Sequence, residues 1–123
     1  MRVATLLLCA SALGFAGSWS GFLVDSRCYA SRQNNVSRNT TTVTRDMDMD
    51  IRFCSPGAKT REFAVVLNDW QSIKFDPAGN ERASELVQRA PKRSVFRIAV
   101  SGVLNKKTLK VGSISVASIK TPR

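Results

Sequence analysis

The chain contains no histidine, and this absence excludes several common kinds of active site. Serine hydrolases with a Ser-His-Asp triad and cysteine enzymes with a Cys-His pair both use an imidazole as the base. Metal centres with histidine ligands are excluded for the same reason. No side chain is left whose unperturbed pKa lies near neutrality, so a simple histidine pH switch is excluded as well.

Acidic residues are also scarce, with 9 Asp and Glu against 19 Lys and Arg and a formal net charge of +10. The imbalance is strongest after Pro91, where no acidic residue occurs. The basic residues of this last part are Lys92, Arg93, Arg97, Lys106, Lys107, Lys110, Lys120 and Arg123. A surface of one sign of charge favours an anionic partner, although lysines that only keep a protein soluble would produce the same count.

No apolar run is long enough to span a bilayer, which takes about 20 residues. Arg2 is instead followed by a short, mostly apolar stretch that continues in small residues through Ala16. This pattern predicts a signal peptide over residues 1–16, with Gly14 and Ala16 as the small residues of the cleavage site. We therefore expect an exported protein, periplasmic or secreted, whose mature chain is one domain over residues 17–123 without a transmembrane segment.

Cysteine is rare, with three residues in the whole chain. Removal of the leader would remove Cys9 and leave Cys28 and Cys54. An even number of cysteines in an exported protein predicts a disulfide between these two residues. The alternative, a redox or metal pair, lacks a C-x-x-C motif and further ligands.

Short apolar runs separated by turn residues predict five strands. We place these strands at residues 19–26, 62–67, 70–76, 95–104 and 108–116, and expect the tail 117–123 to fray. Asn80 can cap a helix that ends before Pro91 and whose apolar residues recur at helical spacing. One buried cluster is expected to contain Val65 or Val66, Leu86, Val87, Phe96, Ile98 and Val100.

The residues between the first two strands fit more than one kind of secondary structure. Residues 27–44 are polar and predict a surface excursion, with Asn35 and Asn39 in glycosylation sequons that composition alone could produce. Residues 44–54 fit both strand alternation and helical spacing, and we favour a short helix because its first turns would be rich in aspartate. The same aspartates do not complete a calcium loop, so no metal is expected.

Five strands with a helix between the third and fourth is the order of the OB-fold. The sequence thus predicts a mainly β protein: a five-stranded OB-like barrel with one helix between strands 3 and 4 and a possible short helix between strands 1 and 2.

Short motifs along the chain also resemble those of small exported bacterial proteins of uncharacterised function. The motifs are D-S-x-C at residues 25–28, a second cysteine before a glycine at 54–57, F-A-V at 63–65, K-F-D-x-x-G-N at 74–80 and V-S-G at 100–102. The resemblance covers the mature chain and implies an OB-like domain. It implies no activity.

Strand alternation places Trp70 and Lys74 on one outward face, with Arg97 and Lys110 on the outward faces of the last two strands. A tryptophan among cations is a stacking and charge platform of the kind that OB-folds use for single-stranded nucleic acids or sugars. We therefore expect a non-catalytic binding or structural module without a cofactor. Its partner would be an anionic envelope polymer, an acidic glycan or protein, or extracellular nucleic acid. The alternative is a small hydrolase or redox enzyme of the cell envelope, which would need a cluster of reactive side chains.

Overall fold

The computed structural model describes residues 15–36, 49–92 and 94–120. The strands are β1 (Phe15–Asp25), β2 (Phe63–Val66), β3 (Ser72–Phe75), β4 (Val95–Asn105) and β5 (Thr108–Lys120). The helices are α1 (Ser26–Val36), α2, helical over residues 49–53, and α3 (Pro77–Gln88). Residues 1–14 of the expected signal peptide, the sequon at Asn39 and the end of the tail at 121–123 lie outside the described residues.

The five strands form one closed sheet in the order β1-β2-β3-β5-β4, in which β4 pairs again with β1. Only the β3–β5 pairing is parallel, and the other four are antiparallel. The predicted mainly β class, the five strands and the helix between strands 3 and 4 are confirmed. The β4–β5 pairing has a register shift between Ser101 and Gly102.

Strand β1 begins at Phe15, four residues before its predicted start, and pairs with two other strands. Residues 15–23 pair with β4, whereas residues 22–25 pair with β2. Gly21 lies at this change of partner, and a Cβ atom there would overlap the backbone carbonyl of Val66. The close approach requires glycine, because any side chain would force the two strands apart.

The inside of the sheet is filled by one apolar cluster, here called the inner cluster. Its buried members are Leu23, Phe63, Val65, Ile73, Phe75, Ala83, Val87, Phe96, Ile98, Val100, Leu109 and Val111. Most of the expected core residues are present in it. Of the pair Val65 or Val66, Val65 is the member found in this cluster, whereas Val66 belongs to a different one. Leu86 is only half-buried, so its expected place in the core was wrong.

A second apolar cluster, the outer cluster, covers the other face of β1 and β2. It consists of Val24, Tyr29, Ile51, Cys54, Ala64 and Val66, which come from the two strands and from α1 and α2. The predicted disulfide Cys28–Cys54 is confirmed and joins α1 to the end of α2. Its sequence separation of 26 residues corresponds to about 3.5 kcal/mol of stabilisation on the chain-entropy model.

The polar stretch after β1 is not simply an excursion, because it begins with helix α1. The Asp25 carboxylate caps this helix, since its Oδ1 accepts a hydrogen bond from the Cys28 N–H at 3.0 Å. The few apolar residues of α1 carry no clear periodic signal, which is why the sequence pattern did not reveal the helix. The predicted short helix is confirmed over residues 49–53, and residues 44–48 lie outside the described part of the chain.

Two further strand boundaries differ from the prediction. Trp70 does not belong to β3, because it lies in the turn between β2 and β3 with φ of 68°. Residues 117–120 do not fray, since β5 continues to Lys120 and Ile119 pairs with Phe96. No helix within the described ranges is long and apolar enough to cross a membrane.

Candidate anion-binding site

The K-F-D-x-x-G-N motif holds three strands and α3 together. The Asp76 Oδ1 accepts hydrogen bonds from the Gly79 N–H at 3.0 Å, which caps α3, and from the Val111 N–H on β5 at 3.1 Å. The expectation that Asn80 caps this helix was wrong, because Asp76 is the N-cap and Asn80 lies within α3. The Asn80 Oδ1 instead accepts a hydrogen bond from the Phe63 N–H on β2 at 2.9 Å. The Oδ1 atoms of Asp76 and Asn80 are therefore engaged in hydrogen bonds with backbone amides.

The D-S-x-C motif has a similar structural role. While its Oδ1 caps α1, the Asp25 Oδ2 accepts a hydrogen bond from the Thr60 hydroxyl at 3.0 Å. The same Thr60 oxygen accepts from the Gly57 N–H at 2.9 Å. Asp25 thus connects α1 to the loop before β2, and both of its oxygens are engaged.

The outer cluster has one charged pair at its edge. The Arg32 Nε donates to the Asp50 Oδ1 at 2.8 Å, and the Arg32 guanidinium lies 4.3 Å from the centre of the Phe53 ring. Burial raises the pKa of the nearby Tyr29 phenol, and the negative charge of Asp50 adds to this effect while the Gln33 side chain opposes it. These contacts fasten α1 and α2 over the face of β1 and β2.

The four residues expected to bind a ligand do not share one surface. Lys74 and Lys110 are neighbours, because Lys74 lies opposite Thr108 and Lys110 is two residues further along the same face of β5. Arg97 pairs with Ser118, six positions along β4 from the partner of Lys110, or about 20 Å.

Trp70 lies outside β3, in the turn that precedes it. It is half-buried and packs against the outer cluster. The structure therefore brings together Lys74 and Lys110, whereas Trp70 packs against the outer cluster. Arg97 lies far along β4, with its guanidinium 5.1 Å from the Phe22 ring centre.

The turn between β4 and β5 adds two cations to Lys74 and Lys110. Lys106 and Lys107 form this two-residue turn, and the Lys107 carbonyl accepts a hydrogen bond from the Lys74 N–H at 3.0 Å. The four exposed lysines are here called the basic site. Beside them lies an open cleft of about 480 Å³, lined by Asp76, Asn105, Lys106, Thr108 and Lys110.

The charge of the basic site is almost uncompensated. Asp76 is the single carboxylate that lines the cleft, and its Oδ1 already binds two backbone amides. In the described parts of the chain, no carboxylate forms an ion pair with any of the four lysines. The arrangement can therefore attract an anion by charge and also offers a hydroxyl and an amide side chain.

Lys106 and Lys107 were counted among the basic residues of the sequence but were not selected as site residues. The signal was present, because Asn105-Lys106-Lys107 forms the short connection between two predicted strands. A two-residue hairpin turn places both of its side chains at one tip.

A larger open groove of about 840 Å³ lies between residues 58–62 and α3. It carries charges of both signs, including Lys59 and Arg61 against Glu62 and Glu81, and so selects no class of ligand. No group of three or more Cys, Asp or Glu side chains that could hold a metal ion occurs among the residues described.

Comparisons of the chain with protein-family models, with curated proteins and with solved structures found no match. The resemblance to small exported proteins stays a prediction. The geometry and charge of the basic site are therefore the observations from which a function can be proposed.

Proposed function

We propose that the protein is an exported, OB-like, non-catalytic module that binds an anionic partner at the basic site. The observation that carries this proposal is the convergence of Lys74, Lys106, Lys107 and Lys110, which come from β3, the β4–β5 turn and β5. Four exposed cations without a paired carboxylate form a local positive potential. A polyanion presents many negative charges to this potential at once.

The strand order supports the OB-like assignment. The order β1-β2-β3-β5-β4 with a helix between β3 and β4 is that expected of this fold. OB-folds commonly bind ligands on the face of strands 2 and 3 and on adjoining loops, including the loop between strands 4 and 5. Here the outer face of β2 is closed, since Ala64 and Val66 are only 2% and 0% exposed. The accessible parts that remain are β3 and the β4–β5 turn, which carry Lys74, Lys106 and Lys107, and Lys110 follows on β5.

Export is supported by two independent features. The Cys28–Cys54 disulfide is of a kind that persists in oxidising compartments. The apolar leader of the sequence predicts passage into such a compartment. A binding rather than a catalytic role is supported by Asp25 and Asp76, whose carboxylates are used in helix capping and strand connections.

The test is a salt titration of binding to dextran sulfate, a polyanion without bases. Lys74→Glu/Lys110→Glu and Arg97→Glu/Lys120→Glu change the net charge by the same amount, but only the first pair alters the basic site. We expect log Kd of the unaltered protein to rise linearly with log salt, because binding to a polyanion releases counterions. The first double variant should bind at least about tenfold more weakly at low salt, whereas the second should change affinity much less.

Equal weakening by both double variants would show that net charge alone is responsible and would contradict a local site. Undetectable binding at low ionic strength would reject the proposed function. Circular dichroism of both variants confirms that each is folded before affinities are compared.

A further inference from the structure

We infer that the partner of the basic site is an acidic polysaccharide, an inference that rests on the proposed function. The cleft beside the lysines combines the ammonium groups of Lys106 and Lys110 with the hydroxyl of Thr108 and the amide of Asn105. Acidic sugars present the complementary groups, because each repeating unit carries a carboxylate or sulfate next to ring hydroxyls. A lysine binds the charged group, while hydroxyl and amide side chains exchange hydrogen bonds with sugar hydroxyls.

Single-stranded nucleic acid is less well matched to this surface. Proteins that bind single strands without sequence preference combine a positive groove with aromatic side chains on which the bases stack. None of the described residues that line the cleft is aromatic. Trp70 packs against the outer cluster instead and does not line the cleft, so a strand bound in the cleft has no aromatic wall on which to stack.

The backbone of Lys106 provides a second, independent observation. Its φ of 60° lies in the left-handed region, which favours glycine or asparagine in a two-residue turn. A lysine at this position opposes folding, and strain of this kind persists where a side chain is needed for binding. We therefore assign Lys106 a direct role in holding the anionic group of the polysaccharide.

The first experiment compares two polyanions of matched charge number and equal salt concentration: a heparin oligosaccharide and oligo(dT). The full chain is expected to bind the oligosaccharide at least about tenfold more tightly than the DNA. Trp70→Leu, which removes the aromatic ring, should leave both affinities within about twofold of the unaltered protein, because Trp70 does not line the cleft.

Tighter binding of oligo(dT), or a loss of its binding in Trp70→Leu, would overturn the polysaccharide assignment and leave the anion-binding function in place. Binding of neither polymer at low salt would instead reject the proposed function itself. The two failures are therefore distinguishable.

The second experiment separates binding from folding at Lys106. Lys106→Gly relieves the strained backbone and removes the charge, whereas Lys106→Arg keeps the charge. We expect Lys106→Gly to unfold at the same or a higher urea concentration while losing about fivefold or more in affinity for the oligosaccharide. Lys106→Arg should retain affinity. Unchanged binding by Lys106→Gly would overturn the role of this residue.

Discussion

At the scale of single residues, several groups that are prominent in the sequence have structural explanations. Asp25 and Asp76 each cap a helix and also bind a group from another part of the chain. Gly21 allows β1 to pass against the Val66 carbonyl. A motif in such a small domain therefore marks a place where several elements meet, and does not by itself indicate catalysis.

Gly21 provides a test at this scale with a matched control. Gly21→Ala should lower the free energy of unfolding by about 1–3 kcal/mol or more, because the new Cβ would overlap backbone that cannot move aside. Gly57→Ala is the control, since a Cβ there would have no atom within 4 Å and its φ is not positive. It should be neutral or raise stability by up to about 1 kcal/mol. Urea unfolding measures both, and equal effects would contradict the close approach.

At the scale of elements, α3 packs against the closed sheet through a narrow face. Ala83 and Val87 are buried in the inner cluster. Leu86, which the sequence pattern also places on the apolar face, is half-buried and lines a shallow groove with Arg82, Arg89 and Ile114. The part of α3 that packs against the sheet is therefore narrower than the apolar face that the sequence pattern predicts.

This difference predicts unequal effects of two neighbouring truncations. Val87→Ala should destabilise the protein by about 1–3 kcal/mol, because it removes buried methyl groups from the inner cluster. Leu86→Ala removes a larger side chain but should cost less, since Leu86 is already partly in solvent. Urea unfolding of the two variants tests the order. A larger loss of unfolding free energy for Leu86→Ala than for Val87→Ala would mean that α3 is rotated about its axis, with Leu86 facing the inner cluster.

At the scale of the whole molecule, two apolar layers share the same strands. Consecutive residues of β1 point to opposite layers, with Leu23 in the inner cluster and Val24 in the outer one, and β2 alternates in the same way. Loss of either strand would remove both layers. We therefore expect the described fold to unfold in one cooperative step.

The two tryptophans report on the two layers separately, since Trp19 packs against the inner cluster and Trp70 against the outer one. In the single-tryptophan variants Trp70→Phe and Trp19→Phe, the fluorescence transition in urea should coincide with that measured by circular dichroism in the same variant. The physical reason is that each layer is built on strands that the other layer also needs. If Trp70 fluorescence changed at a lower urea concentration than the ellipticity, the outer layer would open independently of the barrel.

Local patterns were sufficient for several elements of this chain. Alternation in residues 95–104 placed Phe96, Ile98 and Val100 on one face, which is the face that lies in the inner cluster. Helical spacing and Pro91 identified α3, and the two cysteines that follow the predicted leader identified the disulfide. In contrast, α1 was missed because its stability comes from the Asp25 cap, the disulfide and contacts with β1 and β2, none of which produces a periodic pattern.

The amino-acid sequence by itself determined the absence of histidine chemistry, the excess of positive charge and the periodicity of most elements, since these depend on composition or on neighbouring residues. Only the tertiary structure decided which cations meet. Lys74 and Lys110 come together through the parallel pairing of β3 with β5, and the β4–β5 register places Arg97 about 20 Å from Lys110. Strand pairing and register join residues that are distant in the chain, and the period of two within each strand contains no information about which strand becomes its neighbour.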